Sequence, residues 1–363
     1  MTDLDQILEP GAVIGILGGG QLGRMLSVAA SRLGFTTHIF EPSANPPAGH
    51  VADKVTTAGY EDEAALRAFA ETVDVITYEF ENIPTSALDI LEALKPIRPN
   101  REALRVSQDR LTEKTFLQDL GLATAPFAEV NDAADLEVAL EQVGTPSILK
   151  TRRFGYDGKG QVKIEADTDL AAAFEEIGRQ PAILEGFVPF TREISVIVAR
   201  GTDGKIAAYD PGENVHKNHI LHTTTVPASI SEATAAEAME IARKLIGALS
   251  YIGVMGVEMF HLETEGALVV NEIAPRVHNS GHWTQDGCAV SQFEQHIRAI
   301  AGWPLGDPAR HADAQMLNLI GEDAHNWQAF AQDAKCHVHL YGKKQARPGR
   351  KMGHVNRIRA LTR

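Results

Sequence analysis

The chain is poor in cysteine: its 363 residues include only Cys288 and Cys336. Two cysteines without a CxxC spacing exclude a disulfide framework and a cysteine metal site. Free thiols are typical of proteins in the reducing cytosol, so we expect a cytoplasmic protein.

The chain also lacks an excess of positive charge. It carries 48 acidic and 34 basic side chains, which gives a formal net charge of −14. General affinity for nucleic acid or for an anionic membrane requires a basic surface, so both are excluded as general partners. Binding of a small anion would need a local basic cluster.

Long apolar runs are missing as well. None approaches the roughly 18 to 20 residues that a transmembrane helix needs. Residues 1–10 are acidic rather than a basic leader, so we expect neither a membrane segment nor export. The 44% hydrophobic content is that of a globular chain, and the length predicts two or three domains.

Two apolar runs that are typical of strands each contain an acid. Residues 257–260 and 268–273 flank residues 263–266, a polar turn that ends in glycine. This composition predicts a β-hairpin. A register centred on the turn places Glu258 opposite Glu272.

The opposed acids of this hairpin predict a cation. Like charges directly opposite each other destabilise a sheet, and a carboxylate among apolar neighbours needs compensation. Glu258, Glu272 and the amide oxygen of Asn271 form an oxygen-rich set that suits Mg²⁺, with phosphate and water as further ligands. The alternative is an ordinary hairpin whose acids face solvent.

A glycine turn follows the first predicted strand. The strand spans residues 12–17, and Gly18, Gly20 and Gly23 lead into a helical pattern. With Glu41 at the end of the next strand, these residues satisfy the dinucleotide fingerprint, which taken alone predicts NAD. The same turn would also suit another phosphorylated ligand or a purely structural role.

Acidic and amide side chains follow a further predicted strand, residues 74–79. Glu79, Glu81 and Asn82 fall at its C-terminal end. Ligands of open parallel sheets bind at that end of the strands. We therefore expect these side chains near a substrate.

A glycine-rich cationic loop follows the predicted strand 146–150, which Lys150 closes. Gly155, Gly158 and Gly160 make the loop TRRFGYDGKGQ mobile, and Lys159 lies inside it. Such a loop is suited to covering nucleotide phosphates. The alternative is a solvated hairpin tip.

Other segments give weaker signals. Residues 110–120 predict a helix ended by glycine, and residues 231–249 predict an amphipathic helix with a serine N-cap. Residues 182–188 predict a strand at the junction of a small and a larger lobe. From the sequence alone, His216 has the features of an ordinary loop histidine.

A donor-rich loop follows the hairpin. It packs Arg276, His278, Asn279, Ser280 and His282 into seven positions. This density of donors in a glycine-containing loop suits a small polar anion.

The last segment is basic. Residues 334–363 contain no Asp or Glu, while lysines and arginines cluster in HLYGKKQARPGRKMGH, whose glycines and proline predict a turn. A substrate phosphate is the partner we expect there. For residues 357–363, a solvated basic tail is the alternative.

Together these motifs resemble ATP-grasp enzymes and, more closely, the 5-(carboxyamino)imidazole ribonucleotide synthase family. The resemblance covers nearly the whole chain, and NSGHWT and PGRKMGH are its specific signals. The motifs are GGGQLGRM, YEFENIP, QDRLTEK, FGYDGKGQ, NEIAPRVHNSGHWT, SQFEQHIRAI and YGKKQARPGRKMGH.

The resemblance implies a mixed α/β and α+β fold with three parts. A Rossmann-like pre-ATP-grasp domain would span residues 1–106. An ATP-grasp domain would span residues 107–305, with a small lobe at 107–185 and a large lobe at 186–305. A small C-terminal domain with the basic turn would complete the chain at 306–363.

The resemblance also implies site residues. Glu185 and Val188 would lie along the adenine and Glu193 at the ribose of ATP, and Glu258 and Glu272 would hold Mg²⁺. The full ATP set is Arg110, Lys150, Gly155, Tyr156, Asp157, Gly158, Lys159, Gly160, Gln161, Glu185, Gly186, Phe187, Val188, Glu193, His216, Asn271 and Glu272. The aminoimidazole ribonucleotide set is Gln21, Leu22, Glu79, Asn82, Asn279, Lys343, Arg350 and Lys351.

The residues expected near the carboxylation step are Tyr156, Asp157, Lys159, Lys343 and Arg276. Lys159 stands where relatives often have arginine, and a lysine cannot make the planar bidentate contact of a guanidinium group. Lys159 therefore departs from the residue that the family usually has at this position, and its role near the carboxylation step is an expectation.

The implied activity is ATP- and bicarbonate-dependent carboxylation of 5-aminoimidazole ribonucleotide in purine synthesis. It would pass through carboxyphosphate, in a homodimer, with possible transient contact with the downstream mutase. The alternatives are a related ATP-grasp ligase such as the formate-dependent glycinamide ribonucleotide transformylase, an NAD-dependent oxidoreductase, and a nucleotide-sensing protein without turnover.

Overall fold

The computed structural model describes residues 7–155, 158–264 and 266–362. Its first part is a parallel sheet with the strand order β3-β2-β1-β4. The predicted unit of strand, glycine turn and helix is confirmed. The elements are β1 (Val13–Leu17), α1 (Gln21–Arg32), β2 (Thr36–Phe40), β3 (Lys54–Thr56), α2 (Glu63–Ala70), β4 (Val75–Tyr78), α3 (Thr85–Glu92) and α4 (Arg101–Ser107).

The small lobe is a four-stranded antiparallel sheet with helices beside it, in the strand order β5-β8-β6-β7. Its first helix begins where Asp109 accepts hydrogen bonds from the amides of the first turn. The elements are α5 (Arg110–Asp119), β5 (Phe127–Val130), α6 (Ala133–Val143), β6 (Ser147–Thr151), β7 (Gln161–Ile164), α7 (Leu170–Glu176) and β8 (Ala182–Gly186).

The large lobe is built on a nine-stranded antiparallel sheet with the order β14-β13-β9-β11-β12-β15-β17-β16 and β10 beside β9. The elements are β9 (Arg192–Arg200), β10 (Ile206–Ala208), β11 (Gly212–Lys217), β12 (Ile220–Val226), α8 (Glu232–Ala248), β13 (Gly253–Leu262), β14 (Ala267–Ala274), α9 (Thr284–Gly287), α10 (Gln292–Ile300), β15 (Asp313–Ile320), α11 (Trp327–Ala331), β16 (Cys336–Leu340) and β17 (Lys351–Arg359). The described residues also form the short 3₁₀ helices Pro47–His50, Asn279–Gly281 and Gly321–Asn326.

The C-terminal strands extend this large sheet. β15 pairs with β12, and β17 and β16 follow it outward. The boundary predicted after residue 305 therefore falls in the connection between α10 and β15, within one continuous sheet. Hydrogen bonds between β12 and β15 join the parts of the chain before and after this boundary. The division into domains at residue 305 therefore remains a prediction.

The structure corrects one local interpretation. His216 is not in a loop but in β11, between β9 and β12. The segment Gly212–Lys217 has little apolar content, so its strand conformation depends on the two neighbouring strands rather than on its own propensity.

The hairpin that carries the predicted metal residues has a rigid base. β13 is almost wholly buried and pairs with β9 along nine residues. Ser231 caps α8, as predicted, and apolar residues of this helix, such as Leu245, join the core cluster that contains Val257 of β13. No helix among the described residues has the length and apolarity to span a membrane.

Candidate functional site

A cavity of about 620 Å³ lies between the small-lobe sheet, the β13–β14 hairpin and the loop that follows β14. It brings together residues that the sequence analysis drew from widely separated motifs. The predicted residues in its lining are Asn82, Arg110, Lys150, Gly155, Gly158, Lys159, Gln161, Phe187, Glu193, His216, Glu258, Asn271, Glu272, Arg276, Asn279 and Lys351.

Several predicted residues lie elsewhere. Tyr156 and Asp157 are outside the described residues. Of the described ones, Gly160, Glu185, Gly186 and Val188 are in the small lobe or its junction but not in the lining, and Gln21, Leu22 and Glu79 are at the glycine turn. Lys343 and Arg350 line a second cavity.

Glu258 and Glu272 face each other across the hairpin, as predicted, because they pair directly in the register of β13 and β14. Burial raises the pKa of Glu258 to about 8, and the charge of Glu272 adds to the effect. Burial holds the pKa of His278 well below its usual range. Its Nε2, 3.6 Å from Glu258, therefore supplies no positive charge at pH 7. Arg110 Nη1 lies 3.4 Å from Glu272.

The donor set at this pair fits a divalent cation. Asn271 is the extra residue of a β-bulge next to Glu272. Two carboxylates and an amide are hard oxygen ligands of the kind that Mg²⁺ prefers. No group of three or more His, Cys, Asp or Glu side chains suited to hold a metal occurs in the described ranges, so substrate and water would have to supply the other ligands.

A buried lysine–glutamate cluster lies behind the cavity. Lys150 Nζ donates to Glu185 at 3.0 Å, and Lys114 Nζ lies 3.5 Å from the same carboxylate oxygen. Burial alone would raise the pKa of Glu185, but the two lysines outweigh burial and lower this pKa to about 2. The Glu185 carboxylate is therefore ionised and neutralises part of the lysine charge.

A second ion pair lies in the wall formed by β9 and β11. His216 Nδ1 and the Glu193 carboxylate are in direct contact. Burial opposes protonation of His216, but the bond to Glu193 outweighs it and raises the pKa of the histidine. The family resemblance predicts that these two residues bind ATP, and the structure brings them together.

The donor-rich loop after β14 closes another side of the cavity. Arg276 Nη2 lies 2.7 Å from a carboxylate oxygen of Glu81, which ties the loop to the N-terminal domain. Ser280 Oγ is 2.7 Å from Ser195 Oγ in β9. Among the described residues, the buried Nδ2 of Asn279 has no hydrogen-bond acceptor. Asn279 is also one of the residues that line the cavity.

The glycine turn holds the chain's own acids. The Gly19 amide donates to Glu41 at 2.8 Å, and the amides of Gly20 and Gly23 donate to Glu79 at 2.7 and 3.3 Å. In dinucleotide-binding proteins, amides at this position hold the pyrophosphate. Carboxylates of the chain itself fill this anion site, which removes the physical basis of the NAD hypothesis.

The basic turn between β16 and β17 lies against the N-terminal domain. Lys343 and Arg350 line a cavity of about 240 Å³ together with Asn45. Burial lowers the pKa of Lys343 to about 8, and Arg350 adds to the effect. Lys343 Nζ donates to the carbonyl of Lys351, whose side chain reaches the large cavity. The turn therefore connects the two cavities.

Sequence reasoning missed Glu113 and Lys114. Glu81, which follows β4 in the YEFENIP motif and was expected near a substrate, lines the cavity. Glu113 and Lys114 are buried in α5. They follow Arg110 at helical spacings of three and four residues, so charges on one face of a predicted helix were the signal.

Family models match three parts of the chain. The ribonucleotide synthetase preATP-grasp domain matches residues 12–108, and the ATP-grasp domain matches residues 115–293. The C-terminal domain of phosphoribosylaminoimidazole carboxylase matches residues 314–361. The three models account for the three parts of the fold in their order along the chain.

Relatives match the chain almost from end to end. It is 54% identical over 357 residues to the N5-carboxyaminoimidazole ribonucleotide synthase of Brucella melitensis, with 98% of each chain covered. A crystal structure of an N5-carboxyaminoimidazole ribonucleotide synthetase with ADP matches with a TM-score of 0.94 and 42% identity, over 99% of this chain and 94% of that one. The Aspergillus clavatus synthase with ADP and 5-aminoimidazole ribonucleotide matches with a TM-score of 0.91 and 34% identity, over 97% and 95%. The chain therefore belongs to the N5-carboxyaminoimidazole ribonucleotide synthase family of ATP-grasp enzymes.

Proposed function

We propose that the chain catalyses the ATP- and bicarbonate-dependent carboxylation of 5-aminoimidazole ribonucleotide, giving N5-carboxyaminoimidazole ribonucleotide, ADP and phosphate in purine synthesis. The observation that carries the proposal is the opposed pair Glu258 and Glu272 in the wall of a cavity that Lys150 and Arg276 also line. The solved relative that holds ADP and 5-aminoimidazole ribonucleotide supports this choice of substrates.

The chemistry requires activation of bicarbonate, which is a poor electrophile because displacement would expel hydroxide or oxide. A bicarbonate oxygen attacks the γ-phosphorus of ATP, and the bond to ADP breaks. The product, carboxyphosphate, has phosphate as its leaving group. The exocyclic amine of the ribonucleotide then captures the carboxyl carbon, directly or as released CO₂, and loses a proton.

Phosphoryl transfer of this kind is catalysed mainly by positioning and charge neutralisation. Lys150 and Arg110 would contact the phosphates from the small-lobe side and from α5, and Arg276 would approach from the loop after β14. Bound between Glu258 and Glu272, Mg²⁺ would supply further neutralisation of the transferred group. Lys150, Arg110 and Arg276 line the cavity on these sides and have the charges that the step requires.

The nucleotide would lie along the small lobe. The Glu193–His216 pair would meet the ribose, and apolar side chains such as Ile148 and Phe187 line the same part of the cavity. Residues 155–161, which include Lys159, would close over the phosphates and exclude water from the short-lived intermediate. Asp157 is our candidate for handling the amine proton, and an unchanged ribonucleotide-dependent rate in Asp157→Asn would exclude that role.

The ribonucleotide would bind between the glycine turn and the basic turn. Lys343, Lys344 and Arg350 line the smaller cavity and are cations available for its phosphate, and Asn279 lines the same large cavity as Lys351. Gln21, Leu22, Glu79 and Asn82 would complete this subsite from the N-terminal domain.

One assay tests the proposal against its rivals. ADP release is measured with and without bicarbonate and with and without 5-aminoimidazole ribonucleotide, and formate is offered with glycinamide ribonucleotide as the competing pair. We expect ADP only when bicarbonate and aminoimidazole ribonucleotide are both present, with no change in NAD(H) absorbance. ADP formation that depends on formate would contradict the proposal.

The remaining expectations concern oligomeric state, a partner protein and cellular location. A homodimer, transient contact with the downstream mutase and a cytoplasmic location are part of the proposal. Light scattering of the purified chain tests the first of these, and titration with the mutase in the same instrument tests the second.

A further inference from the structure

The opposition of Glu258 and Glu272 depends on a β-bulge. Near the turn Met259 pairs with Val270, and a regular ladder continued from that pair would place Asn271 opposite Glu258. The register instead shifts by one residue after Met259, so Glu272 takes the opposed position. Since a one-residue slip turns each following side chain to the other face of a sheet, the bulge decides whether the two carboxylates meet.

The outer edge of β14 shows the bulge in its hydrogen bonds. β14 is the end strand of the large sheet, so its outward backbone groups need partners from outside the sheet. The Val270 amide donates outward to the carbonyl of Ala123 at 2.8 Å, and the Ile273 amide donates to Glu113 at 2.7 Å. These donors are three residues apart, whereas outward amides of a regular strand recur every two residues.

Lys114 holds the carbonyl group at the bulge. Its buried Nζ donates to the carbonyl of Asn271 at 2.7 Å and lies 3.5 Å from the carbonyl of Val270. The adjacent residues Glu113 and Lys114 therefore bracket the bulge with an acceptor on one side and a donor on the other. Unpaired backbone groups are rarely left buried in proteins, so these two side chains are what allows the bulge to persist at this edge.

Lys114 also connects the bulge with the small lobe. The same Nζ lies 3.5 Å from Glu185, which accepts a hydrogen bond from Lys150 at 3.0 Å. Lys150 is the lysine that would face the nucleotide phosphates. One ammonium group therefore contacts both the strand that carries Glu272 and the partner of the phosphate-binding lysine.

We propose that Glu113 and Lys114 are positioning residues that hold the Asn271 bulge and thereby set Glu272 against Glu258. The inference rests on the proposed function, in which these two carboxylates hold Mg²⁺. Glu113 and Lys114 act through β14 and not through contact with the reacting atoms. Both side chains are buried on α5 and act through their hydrogen bonds to the backbone of β14.

The test measures binding of Mn²⁺, a paramagnetic substitute for Mg²⁺, to the ADP-saturated protein by electron paramagnetic resonance of the free ion. Lys114→Met should raise the Mn²⁺ dissociation constant by about 10- to 100-fold, the range found when groups that orient metal ligands are removed. The matched control is Leu117→Ala, a buried position on the same helix that faces the core. It should lower the melting temperature without changing Mn²⁺ affinity.

A second pair of variants separates positioning from charge, and it decides the question if Lys114→Met does not fold. Glu113→Leu removes the acceptor for the Ile273 amide and should weaken Mn²⁺ binding. Glu113→Gln keeps an acceptor oxygen and should recover most of the lost affinity. Equal losses in the two variants would show that Glu113 acts by its charge and would overturn the proposal, as would wild-type Mn²⁺ affinity in folded Lys114→Met.

Failure of this inference is distinguishable from failure of the proposed function. If the proposed function is wrong, the wild-type chain forms no ADP that depends on bicarbonate and aminoimidazole ribonucleotide. If only the inference is wrong, the wild-type chain does so, and the variants bind Mn²⁺ as the wild type does.

Discussion

The glycine turn and the β13–β14 hairpin each gather two glutamates, but the two pairs are stabilised in different ways. At the turn, Glu41 and Glu79 accept hydrogen bonds from backbone amides of the chain itself. At the hairpin, Glu258 and Glu272 stand directly opposite each other. Burial and this opposition raise the pKa of Glu258 to about 8. The acids of the turn have backbone donors, although burial still raises the pKa of Glu79, whereas the directly opposed acids of the hairpin suit a cation.

The two regions show that a known sequence motif does not by itself identify a ligand site. The glycine turn has the better-known sequence pattern, yet its anion site is filled by residues of the chain. The hairpin lacks such a familiar pattern, although its second strand begins the NEIAPRVHNSGHWT motif, and its opposed carboxylates still need a positive partner. Unmet charge in a cavity is the stronger indication of a functional site.

The largest expected effect comes from the hairpin. Glu272→Gln should lower the rate of ADP formation by about 100-fold or more while the protein stays folded, since loss of one group that stabilises transition-state charge costs about 10²–10³ in rate. Coupled measurement of ADP release, with circular dichroism for folding, checks this. Glu263→Gln is the control: the residue is exposed in the same hairpin and should leave the rate unchanged. Normal turnover in Glu272→Gln would show that ADP formation does not depend on the Glu272 carboxylate.

The second prediction compares the two pairs by stability in metal-free buffer at pH 9. The folded-state pKa of Glu258 lies above its ordinary value of 4.5, so the folded protein binds this proton more tightly. Stability therefore falls as pH rises from 4.5 through about 8, and the cost is complete above pH 8. Glu258→Gln should remove this cost and raise the free energy of unfolding by at least about 1 kcal/mol.

Burial raises the pKa of Glu79 as well, but we expect Glu79→Gln to have the opposite sign, because the loss of a backbone partner outweighs the relief of the buried charge. An amide side chain accepts through one oxygen only, so one of the amides of Gly20 and Gly23 would lose its partner, at a cost of about 1–3 kcal/mol. Urea denaturation of both variants gives the two values side by side. A change in the free energy of unfolding with the same sign in both variants would contradict the difference between turn and hairpin.

The third prediction concerns Lys343, close to Glu79. Because burial lowers the pKa of Lys343 to about 8, its ammonium group is lost as pH rises through 8. The KM for the anionic ribonucleotide should therefore rise by about tenfold between pH 7 and pH 9, following the protonated fraction. In Lys343→Arg the rise should disappear, and in Lys335→Met, an exposed lysine outside this cavity, it should persist. A flat KM in the wild type would exclude Lys343 from phosphate binding.

The smallest expected effect is none at all. NAD⁺ at a concentration of about 1 mM should leave the melting temperature unchanged, because the amides of the glycine turn already bind Glu41 and Glu79. ATP with Mg²⁺ should raise the melting temperature of the same sample. Differential scanning fluorimetry with both ligands measures this, and a shift with NAD⁺ comparable to that with ATP would restore the dinucleotide hypothesis.

Much of the fold could be predicted where local pattern and burial agree. The strand, turn and helix at residues 13–32, the capped helix α8 and the hairpin all followed from apolar spacing and cap residues. β11 and β12 could not be predicted, because their polar and threonine-rich segments become strands only between β9 and β15. Nor could the continuous sheet, since pairing of β12 with β15 joins residues far apart in the chain.

Part of the site was also predictable. The opposition of Glu258 and Glu272 followed from a symmetric hairpin, and the pair is confirmed. Near the turn, however, Met259 pairs with Val270, one residue away from that symmetric register, and the bulge restores the pair. No residue type in VVNEIA predicts a β-bulge. Its partners Glu113 and Lys114 are about 160 positions earlier in the chain, beyond the reach of local patterns.

We propose that Glu258 and Glu272 hold the cation that the hairpin requires. A crystal of the protein grown with ADP and Mn²⁺ tests this role, because anomalous scattering locates the metal without assumption. We expect an anomalous peak between the two carboxylates, within bonding distance of both and of an ADP phosphate oxygen. A peak bound by other protein side chains, with Glu258 and Glu272 turned away from it, would exclude the pair as metal ligands.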